Sequence, residues 1–575
     1  MIRRAKSSSP RNPSAIARAT AILASLTSAC GSTEASPSPP TPDTHVTCRQ
    51  ASESSASCGT ATAGWTDLLA TDDRADDLTA KAMRYDRVFA ALVTASTGLN
   101  IELTVSDPAH RAAIEAFASG GDHDFEASSG LTVVEVVDGW AKVAGAYGGV
   151  GIAADAFRYG TLRDTGAPCD EVDRARDRLV TGLDALHMAS AITGAEGVVA
   201  RGFARRDLPG IGQQVETVPL FDTDGTPLPA EKNNGTWRED QSGLYPDVVW
   251  EDSCSRDQIA GWIAGYAAAW EVIADDDAFD ADLKTRLQQD AEALARSLMQ
   301  VRDRGYDLEI WDADDRPTFH GIMNENGVDT GYLPGAGNGF NAILSLGIVA
   351  ALAYVSEASD VIAYLNEELV AERRLHELAR DNMLGVDRDE GSNFSSYNMA
   401  FLGGWLAQRY LCDDAARAVV TEALATSLYA KDGELDPSEQ SQSLYDFVHA
   451  TAQSGATAYV TMASEPDETA VAMGVDSLLA FPDAPYWDEG RTNCDDTEIA
   501  AGTCELDDGT TVTLLGEVGW NDELVAGQPV PMAVRPPSNY HWRSNPYRVN
   551  GAGDGARLFP GVDFRFAYWL ARWVR

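Results

Sequence analysis

The sequence predicts an all-α protein, an (α/α)6 barrel or toroid with a few short β-hairpins in its loops. Helical periodicity dominates from Trp65 onward, because apolar residues recur about every three to four positions. The periodic segments come mostly in pairs joined by short connections, as antiparallel helical hairpins do. Long alternating strand patterns are scarce. An open helical solenoid is the alternative fold, but no repeat of fixed length is visible, which disfavours it.

The composition is that of a packed protein. Of the 575 residues, 44% are hydrophobic, and 88 Asp and Glu against 44 Lys and Arg give a net charge of -44. Basic residues form no cluster in the body of the chain, so nucleic acid and anionic membrane surfaces are not expected partners. No uninterrupted run of about 18 apolar residues occurs, so no transmembrane helix is expected.

Residues 1–30 are predicted to be an export signal. A basic stretch that includes Arg3 and Arg4 precedes an apolar run over 19–29. The run ends in Leu-Thr-Ser-Ala before Cys30, which resembles the lipobox of bacterial lipoproteins, with Thr27 where that motif usually has Leu. The resemblance implies export to the bacterial cell envelope and lipidation of Cys30. An ordinary cleaved signal peptide and a secreted product form the alternative.

A flexible tether is predicted over 31–64, and one folded domain over 65–575. Ser, Thr, Pro, Ala and Gly dominate the tether, so this segment has no apolar face to bury. Contact with a membrane is therefore expected only through the lipid anchor.

The cysteine pattern indicates disulfides rather than metal sites. Eight cysteines are present and no Cys-x-x-Cys motif occurs, so zinc and thioredoxin-type sites are not expected. In an exported chain, Cys48 with Cys58 and Cys494 with Cys504 are predicted to form disulfides, because each pair closes a short loop. Cys412 lies in an apolar helical stretch and is predicted to be a buried free thiol. No cofactor and no metal are predicted.

Helices account for most of the predicted structure. Two short hairpins are predicted between them, turning at Asp222–Gly225 and at Asp312–Asp315. Gly261 and Gly265 are predicted to let a neighbouring helix approach closely. A last apolar segment over 564–574 is predicted to be the closing helix. The other predicted helices span roughly 66–97, 108–119, 131–158, 170–193, 255–275, 279–303, 339–356, 358–380, 394–411, 413–430, 440–461 and 467–480.

Three segments carry a family resemblance. They are Ser-Arg-Asp-Gln over 255–258 followed by Gly261, Asn-Phe-Ser-Ser-Tyr-Asn over 393–398, and Arg-Pro-Pro-Ser-Asn-Tyr-His-Trp-Arg over 535–543. With the paired helices they resemble the six-hairpin glycosidase-like superfamily, over most of 66–575. The resemblance implies an (α/α) toroid that cuts glycans by hydrolysis or β-elimination.

One end of the predicted toroid is expected to carry the functional site. Alternate helices of a closed (α/α) barrel run in the same direction, so the segments beginning near Ser255, Gly339, Asn393 and Ser441 start at one mouth. Helix N-termini leave free N–H donors there, and aromatic side chains that can stack on sugar rings lie near these starts. The predicted substrate-binding residues are Trp250, Tyr332, Asn393, Asn398, Tyr540, Trp542 and Arg543.

Asp257 is the main candidate for a catalytic carboxyl group. Ser255 and Gln258 have the spacing of a capping box, so a helix is predicted to begin here. Asp257 then lies in the first turn, where it either stabilises the helix dipole or acts as a general acid or base. Asp252 and Glu325 are the candidates for a second carboxyl group.

The loop over 320–339 is rich in Gly and Asn and is the most unusual stretch of the chain. Its titratable side chains are His320, Glu325 and Asp329. No Gly-Lys-Ser/Thr follows, so a phosphate-binding loop is not expected, and a single histidine does not favour a metal site. The loop either lines the site or covers the toroid.

Three functions of an exported, glycan-binding protein stay open. The leading hypothesis is a glycoside hydrolase, in which one carboxyl group donates a proton and a second carboxylate acts as base or nucleophile. A polysaccharide lyase is the second, with Tyr397 or His320 as base and Asn398 or Arg543 neutralising a uronate. The third is a non-catalytic surface lipoprotein, which requires aromatic side chains in the mouth without converging carboxylates. A lyase product absorbs in the near ultraviolet, whereas a hydrolase product does not.

Overall fold

A computed structural model describes residues 58–62, 65–93, 98–381, 383, 390, 392–431 and 435–574. The chain divides into two units, Met1–Val46 and Thr47–Arg575, and the elements below belong to the second. Cys30, the predicted export signal and most of the predicted tether lie outside the described residues.

Helices dominate the described residues. Three π-helical segments extend or continue helices, over Phe89–Val93, Tyr364–Glu372 and Leu424–Tyr429. The α-helices are α1 (Ala75–Val88), α2 (Pro108–Ser119), α3 (Phe125–Ser129), α4 (Val133–Val136), α5 (Gly145–Asp164), α6 (Cys169–Ala191), α7 (Ile211–Gln214), α8 (Arg256–Ile273), α9 (Ala281–Met299), α10 (Gly339–Ser356), α11 (Ser359–Ala363), α12 (Leu375–Asp381), α13 (Phe394–Tyr410), α14 (Asp414–Ala423), α15 (Ser443–Ser454), α16 (Glu468–Ala480), α17 (Asp496–Ala501) and α18 (Val562–Trp573).

Short antiparallel sheets fill the connections between helices. The strands are β1 (Leu103–Thr104), β2 (Gly139–Trp140), β3 (Val143–Ala144), β4 (Gly202–Arg205), β5 (Trp237–Glu239), β6 (Val248–Glu251), β7 (Glu309–Trp311), β8 (Pro317–Ile322), β9 (Gly327–Val328), β10 (Gly331–Tyr332), β11 (Tyr486–Thr492), β12 (Thr503–Glu505), β13 (Thr511–Glu517), β14 (Leu524–Ala526) and β15 (Asn550–Phe559). Their sheet orders are β11-β15-β1-β2, β3-β4-β6-β5, β12-β13-β14, β7-β8 and β10-β9.

The most buried helices contact one another in a closed order. Helix α5 packs against α8, α8 against α10, α10 against α13, α13 against α15, α15 against α18, and α18 against α5. Helices α6, α9, α12, α14 and α16 each contact at least one member of this series, and α1 contacts α18. Within the described residues, this order is consistent with the predicted toroid, in which the first and last helices complete one hairpin.

Glycines allow the innermost helices to touch backbone to backbone. A Cβ added at Gly149 of α5 would lie 1.9 Å from the carbonyl oxygen of Gly261 in α8, and one added at Gly265 would lie 2.8 Å from the carbonyl oxygen of Gly149. A Cβ at Gly347 of α10 would similarly lie 2.1 Å from the carbonyl oxygen of Gly403 in α13. The predicted close approach at Gly261 and Gly265 is therefore confirmed, with α5 as the neighbour.

Helix α10 departs from the expectation that no segment is apolar enough to span a membrane. Over Gly339–Ser356 it has the length and composition of a membrane span, yet 94% of it is buried inside the protein. Its neighbours α8, α9, α12 and α13 cover it on several sides. An all-round apolar helix of this kind is typical of a protein core.

Several predicted helices are shorter in the structure. The helix predicted over 66–97 begins only at Ala75. The segment predicted as one helix over 131–158 contains α4, β2 and β3 before α5 begins, because residues 139–144 pair with strands β1 and β4. The helix predicted over 440–461 is only α15, which ends where Gly455 adopts a left-handed conformation with φ of 72°.

The hairpin predicted at Asp312–Asp315 is confirmed as β7 and β8, which pair in an antiparallel sheet. At Asp222–Gly225 the chain does turn, but only an isolated bridge joins Phe221 to Pro227.

The disulfides differ in part from the predicted ones. Cys494–Cys504 is confirmed, whereas Cys58 bonds to Cys169 and not to Cys48. Cys412 is disulfide-bonded rather than free; the free, buried thiol among the described residues is Cys254. The partner of Cys58 lies 111 residues away, so a rule based on short loops could not find it.

Candidate functional site

A cavity of about 930 Å³ opens where several buried helices begin. Its wall contains Tyr147 from the first turn of α5, Asp257 from α8, Asn338 before α10 and Asn393 before α13. The chain therefore brings together three of the four helix starts predicted to share one mouth. The fourth, near Ser441, does not line the cavity.

Local hydrogen bonds explain how the wall is held. Asn338 and Asn393 are N-caps, and their side-chain oxygens accept hydrogen bonds from the backbone N–H groups of Asn341 and Ser395. Each cap gives one of the free backbone N–H groups at the helix end a hydrogen-bond acceptor, and it fixes the direction in which the helix leaves the wall.

Asp257 and Arg543 form an ion pair at the cavity wall. Asp257 Oδ2 lies 2.9 Å from Arg543 Nη2, and the Ser255 hydroxyl donates to the other carboxylate oxygen. Burial acts to raise the pKa of Asp257, but the Arg543 charge and the Ser255 hydrogen bond outweigh it, so the pKa is lowered. Asp257 is therefore ionised at neutral pH and can accept a proton.

The capping box predicted for Ser255 and Gln258 is not formed, because α8 has no side-chain cap. The Ser255 hydroxyl instead donates to Asp257 and accepts a hydrogen bond of 2.8 Å from Arg201 Nη1. Gln258 Oε1 instead accepts a hydrogen bond of 2.9 Å from the backbone N–H of Ala146, at the start of α5. The glutamine thus ties two adjacent helix starts together.

Arg201 and Arg256 add positive charge to the same wall. Arg201 Nε lies 3.7 Å from Glu251. Arg256 donates to the Asn341 side-chain oxygen at 3.1 Å and lies 5.6 Å from the centre of the Phe340 ring. Burial lowers the pKa of Arg256 below its ordinary value, which leaves it protonated at neutral pH.

His320 and Asp329 face each other at the cavity wall, with Nδ1 and Oδ1 3.7 Å apart. Burial lowers the pKa of His320, against the opposing charge of Asp329. The imidazole is therefore neutral near pH 7 and can act as a base. This pair comes from the 320–339 loop, which does line the site.

Aromatic rings and amide side chains complete the wall. Tyr147 and Tyr540 have ring centres 4.9 Å apart, and Trp520, between β13 and β14, is 51% exposed. A half-exposed indole offers a flat apolar face to a ligand. The amide side chains, which can bind hydroxyl groups, are those of Asn234, Asn338, Asn393, Asn521, Asn539 and Asn545.

Two predicted catalytic carboxyl groups lie away from the cavity. Asp252 is fully buried, 3.0 Å from Lys232 Nζ and 2.6 Å from Arg238 Nη2. Glu325 pairs with Arg373, whose Nε donates to it at 3.1 Å. Both carboxylates are already bound by cations of the protein, so they hold loops in place and do not line the site.

Five other predicted site residues do not line it either. Tyr397 and Asn398 are buried in α13, and Trp250 is buried in β6 with its indole N–H donating to the Glu239 carbonyl at 2.9 Å. Tyr332 stacks on a neighbouring tyrosine ring, and Trp542 is buried behind the wall. Several aromatic residues near the predicted helix starts therefore belong to the core and not to the site.

Among the wall residues that sequence reasoning missed are Tyr147, Arg201, Arg256, Trp520 and Glu523. Arg256 had a usable signal, since it is the residue next to Asp257 and its charge at a helix start is unusual. Trp520 lies in a polar loop and had none, because its position depends on how β13 and β14 fold against the mouth. Within the described residues, no group of three or more His, Cys, Asp or Glu is arranged to hold a metal ion.

No family model matches the sequence, and no curated protein matches it. Among solved structures, a sugar epimerase from a ruminal bacterium aligns with 74% of this chain and 87% of its own, at 12% identity and a TM-score of 0.33. The cellulase Cel9M of C. cellulolyticum aligns over 76% and 87%, at 9% identity and 0.34. A metagenome-derived glycoside hydrolase family 9 endoglucanase aligns over 87% and 81%, at 14% identity and 0.35. These TM-scores are low, so any function of this protein must be argued from the residues of the cavity.

Proposed function

We propose that this protein binds and hydrolyses a glycan in the cavity at the helix starts, with Asp257 as the ionised catalytic carboxylate. The observation that carries the proposal is the Asp257–Arg543 pair in a cavity of about 930 Å³. That volume lies in the upper part of the range of small-ligand sites and accommodates several sugar rings. We further propose that the helical domain is a complete (α/α)6 toroid with this cavity at one mouth.

The residue types of the wall suit sugar binding. Asn and Ser side chains form hydrogen bonds with hydroxyl groups, and the rings of Trp520, Tyr147 and Tyr540 offer apolar faces for stacking. Both kinds of residue come together on one wall.

In the proposed reaction two carboxyl groups have different roles: one accepts a proton and the other donates one. The ionised Asp257 takes a proton from the water that attacks the anomeric carbon, while the glycosidic carbon–oxygen bond breaks. A second carboxyl group must protonate the departing oxygen. Asp329 and Glu523 line the same cavity and replace Asp252 and Glu325 as candidates for this donor.

The test compares the wild-type protein with Asp257→Asn on a panel of oligosaccharides. Turnover is measured as the release of new reducing ends. The variant keeps the shape of the side chain but cannot accept a proton, so turnover should fall about 100- to 10,000-fold. Asp282→Asn is the matched control, because Asp282 is also a first-turn aspartate, in α9, and is exposed. It should retain full turnover. Equal turnover in all three proteins would refute a catalytic role for Asp257 and leave glycan binding alone.

Lyase chemistry is the second candidate, and the observation that favours it is His320. A neutral imidazole beside the cavity can remove the proton next to a uronate carboxylate, while the glycosidic bond breaks and a carbon–carbon double bond forms. The departing oxygen then takes a proton from the imidazolium or from water. Arg543 or Arg256 would neutralise that carboxylate. Absorbance of the products in the near ultraviolet, lost in His320→Gln and retained in Asp257→Asn, would establish this reaction in place of hydrolysis.

We also propose that the protein is exported and anchored through Cys30. The disulfides Cys58–Cys169 and Cys494–Cys504 support export, since such bonds persist in oxidising compartments. Cys30→Ala should release the protein from membranes or cause its precursor to accumulate. If the variant is processed and stays membrane-bound as before, the lipid anchor is ruled out.

A further inference from the structure

Arg256 is a cation of the cavity wall that forms no ion pair with the described residues, although the charges of Asp329 and Asp257 act on it from a distance. Among the described residues, Arg543 is paired with Asp257 at 2.9 Å and Arg201 lies 3.7 Å from Glu251. Arg256 has an amide oxygen at 3.1 Å and an aromatic ring at 5.6 Å, but no carboxylate within ion-pair distance in the part of the chain that the structure describes.

The position of Arg256 is unfavourable in two further respects. It is the first residue of α8, where the helix dipole favours an anion and disfavours a cation. Burial also disfavours the charged guanidinium, which is why its pKa is lowered. Both penalties are removed when an anion binds next to the guanidinium, so the arrangement suits a ligand that brings negative charge.

The acids around Arg256 leave room for such an anion. Asp257 is engaged by Arg543 and Ser255. Asp329 is 71% exposed and faces His320, so solvent screens its charge. The wall carries three arginines and three acids, Asp257, Asp329 and Glu523, whereas the chain as a whole has 88 acidic and 44 basic residues. The wall is therefore less acidic than the chain on average.

We propose that Arg256 binds an anionic substituent of the glycan, a hexuronate carboxylate or a sulfate ester, so that the substrate is an acidic glycan. This inference rests on the proposed function, since it names the substrate class for the same cavity. Arg256 offers the planar fork of donors that matches a carboxylate or sulfate. Arg201 adds positive charge to the same wall, and the Phe340 ring and the Asn341 amide hold the guanidinium.

The experiment measures calorimetric affinity for three tetrasaccharides of one linkage: a hexuronate, the same compound with its carboxyl groups reduced to primary alcohols, and a sulfated neutral one. Wild-type protein should bind an anionic form at least about tenfold more tightly than the reduced form at low salt. Whichever anionic form binds better identifies the substituent as carboxylate or sulfate.

Arg256→Gln should lose this preference and bind the reduced form within about twofold of wild type, whereas Arg256→Lys should keep part of the preference. Arg296→Gln is the control, because Arg296 is exposed and pairs with Asp360 on the outer surface; it should bind like wild type. Thermal unfolding of each variant checks that it is folded.

Two outcomes separate the inference from the proposed function. If wild-type protein binds the reduced form as tightly as both anionic forms, the acidic-glycan inference is overturned while glycan binding stands. If it binds no tetrasaccharide of this or any other tested linkage, the proposed function fails and the inference fails with it.

Discussion

Helix α8 carries an ion-paired carboxylate at each end, and the two pairs differ in their surroundings. Asp257 in the first turn pairs with Arg543 at a cavity wall, and the two side chains are 12% and 26% exposed. Glu271 near the last turn pairs with Arg409, and those side chains are 5% and 4% exposed. Tyr410 and Trp573 also donate to Glu271, at 3.0 and 2.5 Å.

The comparison teaches that an arginine–carboxylate pair is not itself a sign of chemistry. Glu271 has donors from α13 and α18 on its oxygens, so it joins three buried helices and has no free position for a ligand. Asp257 also has three donor side chains, those of Arg543, Ser255 and Gln258, but it lines a cavity. Access to a ligand, rather than charge pairing, distinguishes the candidate site from a structural ion pair.

The largest difference between the two ends of α8 is expected in stability, and Glu271→Gln should lose the most. The change leaves Arg409 without its countercharge in the core, so the free energy of unfolding should fall by about 3–5 kcal/mol. Asp257→Asn should cost about 1 kcal/mol or less, because cavity water can solvate Arg543. Urea denaturation measures both. Similar losses of unfolding free energy in the two variants would contradict the difference in burial and solvent access between the two ends of α8.

The next effect concerns the pH dependence of turnover. In the wild-type protein the lowered pKa of Asp257 keeps the carboxylate ionised into the acidic range. Arg543→Met removes the strongest of the interactions that lower this pKa, while the Ser255 hydrogen bond and the Arg201 charge remain. The pKa should therefore rise, and the acidic limb of the kcat/KM profile should move upward by about one pH unit. Arg286→Met, which removes an exposed pair with Asp184, should leave the profile in place. An unshifted limb in Arg543→Met would argue that another group controls it.

The smallest expected effect is on ligand binding at the rim of the cavity. Trp520→Ala removes a half-exposed indole that would be covered by a bound sugar, so KM should rise roughly five- to tenfold with kcat nearly unchanged. Phe221→Ala removes an exposed aromatic ring, 42% accessible, that does not line the cavity, and KM should stay constant. A large fall in kcat for Trp520→Ala would assign the indole a role in positioning the reacting groups.

The helices were largely predictable because their signal is local. The predicted segments over 108–119, 170–193, 339–356 and 467–480 match α2, α6, α10 and α16 within two residues at each end. Each alternates apolar and polar residues with the helical period, or is apolar throughout, and its neighbours in sequence are enough to define it. The exception over 131–158 arose because strand pairing with distant segments overrides a helical pattern.

The site was predictable only where a topological rule applied. Alternate helices begin at one end, so Asp257 and Asn393 were expected near one another, and both line the cavity. Which other residues join them depends on the loops. Asp252 and Glu325 are close in sequence to the site, but each meets a cation of another segment and turns away from the cavity.

The sequence by itself determined the mostly helical character, the acidic surface and the glycines that let α5 and α8 touch. These properties follow from residue spacing and composition, which act over a few turns of chain. Only the tertiary structure decided which end of α8 is accessible, which wall arginine forms no ion pair among the described residues, and which cysteine bonds to Cys58. Those outcomes depend on segments up to several hundred residues apart, such as Asp257 and Arg543, and on the solvent that their packing admits or excludes.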